Sequence, residues 1–109
     1  MKLTLDNIQD ELEKGNVLPA RAADLLVIVS AKYGRAADEY VRKSAEFAKA
    51  FNEARERFKS DTATERYLEN SELGIELNFW KYQLKKAEII SKALNTLVYL
   101  RTAEAKNYV

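Results

Sequence analysis

The sequence predicts an all-α protein, and three observations carry that expectation. Apolar or small residues recur at Ala22, Leu26, Val29, Tyr33, Ala36, Tyr40, Ser44, Phe47, Phe51, Ala54 and Phe58, with a mean interval of 3.6, the period of a straight α-helix. The 109 residues include one Pro and three Gly, so helix breakers are few. Residues from about 63 to 106 carry helix-spaced apolar rows on two sides. The expected architecture is a long antiparallel helical hairpin with a short N-terminal helix, in one domain over residues 1–109, dimerising into a helical bundle.

The first helix is expected over residues 5–14. Thr4 or Asp6 can cap it, Leu5, Ile8 and Leu12 share one face, and Gly15-Asn16 ends it because both tolerate the left-handed conformation of a helix C-cap. Pro19 suits the first turn of the second helix, where its missing N–H has no partner to lose. That helix is expected over 19–59, roughly 60 Å of continuous ridge at 1.5 Å per residue. Its section Leu25-Leu26-Val27-Ile28-Val29 is apolar nearly all round, which calls for cover from more than one side; the first helix folding back supplies it. Further along, Asp38 with Arg42, Glu39 with Lys43 and Glu53 with Arg57 lie at i,i+4 with the acid first. Gly34 costs about 1 kcal/mol against Ala in a helix interior, and good helix formers around it predict a helix that continues.

The turn is Lys59-Ser60-Asp61-Thr62, with Thr62 and Glu65 at capping-box spacing. The third helix is expected over 63–106, with Gly74 as a point of break or kink. One of its rows is Ile75, Phe79, Tyr82, Ile89, Ala93, Leu97 and Leu100; the other is Leu73, Leu77, Trp80, Leu84, Ala87, Leu94 and Val98. The second helix can cover only one row. The other needs the first helix or a second copy of the chain; for the expected dimer, Leu73, Leu77, Trp80, Leu84, Leu94 and Val98 are the candidate contacts. The tail Tyr108-Val109 is expected to fray.

Composition excludes several chemistries. The chain has no Cys and no His, so thiolate catalysis, disulfides and Cys- or His-based metal sites are absent. Eighteen basic and 17 acidic residues are interleaved, giving a net charge of +1 and no general electrostatic attraction to nucleic acid. Acids stand where a signal peptide needs an apolar run, and no apolar stretch approaches the ~18 residues of a membrane span. A soluble cytoplasmic protein without membrane attachment is expected.

Three local features bear on function. Lys81, Lys85, Lys86 and Lys92, with Arg101 and Lys106, make the later part of the third helix basic, and Trp80, Tyr82 and Tyr99 lie among them. Such interleaving can grip phosphates and stack on bases, although Glu76, Glu88 and Glu104 dilute it. Glu65, Glu69, Glu72 and Glu76 form an acidic stripe at i, i+4, i+7 and i+11, yet the Glu-x-x-His pair of di-iron bundles is missing and a solvated face explains it better. A helix-turn-helix built from the first two helices would offer only Arg21 for bases. No phosphate-binding Gly-rich loop or nucleophile–base set is present, so neither catalysis nor a cofactor is expected.

The segments SAKYGRAADEYVRKSAEF (30–47) and SDTATERYLENSELGIELNFWKYQLKKAE (60–88) resemble, in general texture, small helical proteins encoded by bacterial phages and prophages. The resemblance implies a small accessory protein made during infection and transfers no functional residue. Together these features predict a non-enzymatic protein–protein interaction, assembly or modulator protein with an unidentified protein partner. The alternative is a nucleic-acid-associated accessory protein of phage replication, recombination or packaging, using Lys81, Lys85, Lys86 and Lys92.

Overall fold

The computed structural model describes the backbone of residues 3–107 and the side chains of residues 3–99. Four helices account for nearly all of it: α1 (Leu5–Glu13), α2 (Pro19–Arg55), α3 (Asp61–Glu69) and α4 (Glu72–Asn107), with no strand among the described residues. The side chains of Leu100, Arg101, Glu104 and Lys106 and the tail Tyr108-Val109 lie outside the described residues. No described helix is long and apolar enough to cross a membrane.

The chain divides into two compact units, with boundaries at Gly34 in α2 and Lys85 in α4. The first unit contains α1, the start of α2 and the later part of α4. Thr4 Oγ1 accepts the Asn7 N–H at 3.1 Å and Asn7 Oδ1 accepts the Thr4 N–H at 3.1 Å, a reciprocal cap that fixes where α1 begins. Gly15 ends the reversal that follows α1 at φ +73°, a conformation that penalises any side chain. Pro19 opens α2 as its sequence position requires, and the Leu18 carbonyl accepts the Ala22 N–H at 2.9 Å.

Folding α1 back onto α2 buries Leu5 and Ile8 against Ala22, Leu25 and Val29, with Ala87, Ile90 and Leu94 of α4 closing the cluster. Ile8, Leu25, Val29 and Leu94 are fully buried, each contributing about 1.5–3 kcal/mol from removal of apolar surface. Leu26 and Ile28 pack on the edge of this core, while Val27 points outward, so the apolar section of α2 is covered on most of its circumference.

The second unit holds the rest of α2, the α2–α3 turn, α3 and the start of α4. Continuity of α2 through Gly34 follows the expectation, but the helix ends at Arg55 rather than residue 59. There the Ala54 carbonyl accepts N–H groups from Arg57 at 2.9 Å and Phe58 at 3.3 Å. Arg55 braces the turn, its Nε donating to Asp61 Oδ1 at 2.7 Å and its Nη1 to the Phe58 carbonyl. Ser60, not Thr62, caps α3 by accepting the Ala63 N–H at 3.1 Å. Thr64 is wholly buried, and its hydroxyl donates to the Ser60 carbonyl at 2.9 Å.

The single helix expected over 63–106 is two helices, broken at Asn70-Ser71. Asn70 turns its amide back to the Arg66 carbonyl at 2.8 Å, while the Ser71 hydroxyl donates to the Leu68 carbonyl and accepts the Gly74 N–H at 3.2 Å. Gly74 is therefore not the break. It lies in the first turn of α4, where a Cβ would come within 2.1 Å of the Leu68 carbonyl oxygen, so only glycine permits this approach of α4 to the end of α3.

Within each unit α2 and α4 run antiparallel, as a hairpin requires. In the second unit contacts descend along α4 as they climb α2, from Arg35 with Trp80 to Lys43 with Glu76.

Candidate interaction surface

The two apolar rows of α4 have opposite fates. Leu73, Leu77, Trp80 and Leu84 are half-buried in the second unit. Arg35 lies 5.8 Å from the centre of the Trp80 ring, which also takes the edge of Phe79 at 5.1 Å. In the first unit Ala87 and Leu94 are completely buried and Val98 packs on the same core. The row expected to meet a second copy is thus the one facing the chain itself, and Leu94 in particular has no surface to offer. The outward row is the other one. Ile75, Phe79 and Tyr82 are 62%, 51% and 60% exposed on successive turns of α4 in the second unit. Ile89 is similarly exposed and Ala93 is also exposed in the first. Leu97 departs from its row and packs against the core.

The proposed basic strip is not uniform. Lys81 and Lys85 are exposed and join no ion pair among the described residues. The Lys86 side chain is largely covered and pairs with Asp6 of α1, and Lys92 pairs with Glu88 at 3.4 Å. The acidic stripe is divided by the helix break, with Glu65 and Glu69 on α3 and Glu72 and Glu76 on α4. Glu76 accepts Lys43 at 2.5 Å, and no group of three or more carboxylates among the described residues is placed to hold a metal ion. Arg21, the one cation a helix-turn-helix could use, is engaged in two hydrogen bonds with Glu11 at 2.9 and 3.2 Å.

These pairings set the local electrostatics. The Arg21 hydrogen bond holds the Glu11 carboxyl below its ordinary range, and Glu11 correspondingly raises the Arg21 guanidinium. The hydrogen bond that the Lys43 ammonium donates to Glu76, aided by Glu46, raises its pKa. Elsewhere on α2, Glu39 pairs with Arg42 at i,i+3 rather than with Lys43, which is committed across to α4. A shallow groove of about 290 Å³, lined by Ser30, Tyr33, Glu88, Ser91 and Lys92, opens beside the first unit's core.

Comparison with known proteins yields no match to any family model, curated protein or solved structure.

Proposed function

We propose that this chain works through protein–protein contact, without catalysis, as a self-associating assembly or modulator protein. The observation supporting this reading is the outward row Ile75, Phe79 and Tyr82, three large apolar side chains more than half exposed on consecutive helical turns. Single exposed apolar residues need no explanation, but a contiguous row on one rigid helix is what a helix–helix contact uses. The occupant we assign is a second copy, meeting this row with its own. An accessory role for a protein of phage or prophage origin, acting in the cytoplasm, fits the resemblance of residues 30–47 and 60–88.

Energetics make such an assembly reversible. Full burial of a large apolar side chain contributes about 1.5–3 kcal/mol, so six half-exposed ones on two copies supply about 5–10 kcal/mol. Association itself costs about 4–15 kcal/mol. At best about 6 kcal/mol remains, so a dimer that forms only at roughly 40 μM or above is expected. Sedimentation equilibrium tests it: Phe79→Asp should leave a 12.5 kDa species at concentrations where the wild type associates, with helicity unchanged. A wild type that remains monomeric at about 1 mM, the weak end of specific affinities, would remove the reading.

Lys81 and Lys85, exposed and in no ion pair among the described residues, favour one alternative, contact with nucleic acid. Two phosphate contacts per copy would give a shallow salt dependence, with log K falling at a slope of about −0.7 to −0.9 for each phosphate neutralised. Absence of DNA or RNA binding at low salt would exclude it.

A further inference from the structure

Helix α1 is a poor helix in a well-built seat. Its nine residues fall short of the ~12–15 that an isolated helix needs in water. Asp6 lies in the first turn, where the helix dipole favours an acid, whereas Asp10, Glu11 and Glu13 lie toward the other end, where it disfavours one, with Lys14 at the C-cap as the base beside them. The order of α1 therefore comes from where it docks. That seat is formed by Ala22, Leu25 and Val29 of α2 and Ala87, Ile90 and Leu94 of α4, all buried. Two cations mark it: Lys86 takes Asp6 and Arg21 takes both carboxylate oxygens of Glu11. The connection to α2 is exposed at Lys14, Gly15, Asn16 and Leu18, and Val17, packed on the edge of the core, is the side chain in it that must let go when α1 leaves.

We propose that this groove is an acceptor for acidic amphipathic helices of other proteins, with α1 as its resident and displaceable occupant. The pattern it reads is written in α1: apolar residues at i, i+3 and i+7 (Leu5, Ile8, Leu12) and acids at i+1 and i+6 (Asp6, Glu11). A longer helix with that pattern brings its own stability into the groove and competes with the short resident. The proposal rests on reading the chain as an interaction protein but uses a surface distinct from the outward row of α4. Failure of self-association through Phe79 leaves it intact, and its own failure leaves that contact intact.

The probe is a fluorescein-labelled peptide of residues 3–15, titrated against the full chain and its Ile8→Ala variant at about 50 mM salt, where charge contacts are least screened. The variant, whose α1 has lost its central anchor, should bind the peptide about tenfold or more tighter than the wild type. Adding Lys86→Glu, or using a peptide with Asp6→Lys and Glu11→Lys, should abolish that gain. No binding to Ile8→Ala, or equal binding of the acidic and basic peptides, would overturn the proposal. Amide exchange on the wild type provides a test that needs no variant. Amides of α1 should exchange about 100-fold faster than those of Ala87–Leu94, and equal protection would overturn the proposal. A wild-type dimer dissociated by Lys86→Glu would put a second copy's α1 in the groove and would also overturn it.

Discussion

Replacing Gly74 by Ala adds one methyl group at a close backbone approach in the second unit. The new Cβ would stand 2.1 Å from the Leu68 carbonyl oxygen and 2.8 Å from both the Glu69 Cα and its carbonyl oxygen, all backbone atoms without rotamers to yield. Real Cβ contacts essentially never fall below 3.0 Å, so α3 and α4 must separate by about 0.9 Å at this point. Overpacking of this kind costs about 1–3 kcal/mol. Separation also loosens the bonds that Ser71 makes to Leu68 and Gly74, each worth about 0.5–1.5 kcal/mol. Ala returns about 1 kcal/mol through its better helix propensity. The net is a loss of about 1–5 kcal/mol, or a fall in Tm of about 4–20 °C for a chain of this size. Gly34→Ala is the control, because Gly34 is a helix-interior glycine with nothing within 4 Å of its added Cβ. It should gain about 1 kcal/mol. Urea unfolding followed by circular dichroism measures both. If Gly74→Ala is as stable as wild type, or shifts in the same direction as Gly34→Ala, the close approach of α4 to the end of α3 is refuted.

Further outcomes follow from the burial and pairing of individual residues. Leu94→Ala should cost about 2–5 kcal/mol with no dependence on protein concentration, since Leu94 is fully buried within its own chain; a loss that vanishes on dilution would instead place it at a contact between copies. Glu11→Gln removes a carboxylate whose pKa is lowered in the folded state by Arg21. A lowered folded pKa stabilises above the unfolded pKa and is lost as pH falls through the folded one. The wild type should therefore exceed Glu11→Gln in stability at pH 7, and the difference should close on acidification; a constant gap would exclude the linkage. For Lys43 the sign reverses, because its pKa is raised by Glu76, and its contribution should fade only as the solution becomes strongly alkaline. Comparing the alkaline limbs of unfolding for wild type and Lys43→Met checks this.

Much of the fold is legible because its signals are local. The α1 cap, the Gly15 reversal and Pro19 at the head of α2 are each set by the chemistry of one or two residues; the last two appear where the sequence puts them, and of Thr4 and Asp6 it is Thr4 that caps. Continuity through Gly34 was equally readable, since a lone glycine among good helix formers costs less than breaking the helix. The α3–α4 break escaped because its determinant is a pair of ordinary polar residues within an unbroken apolar period. Asn70 at the end of α3 and Ser71 at the start of α4 are recognised terminator and cap types, and Asn-Ser in succession was the signal available. Gly74 drew attention in their place. Its role depends on how near another segment's backbone comes, and nothing within four residues of it in sequence reveals that.

Which face of α4 turns inward was likewise undecidable from apolar periodicity, since both rows repeat with helical spacing and carry comparable bulk. Size and charge at the neighbouring positions break the tie. The inward side carries Ala87 where α2 comes close, and it is flanked by Glu76 and Lys86, which find Lys43 and Asp6 across the helix contacts. With the row at Ile75, Phe79 and Tyr82 turned inward, Glu76 and Lys86 would forgo those partners, and aromatic bulk would stand where Ala36 of α2 is now buried. Small residues allow helices to approach and opposite charges at the margins fix their rotation; together they choose between two rows that hydrophobicity alone leaves equivalent. Ile75, Phe79 and Tyr82 stay more than half exposed on the side this choice turns outward, and that exposure is the physical basis for proposing a second copy there.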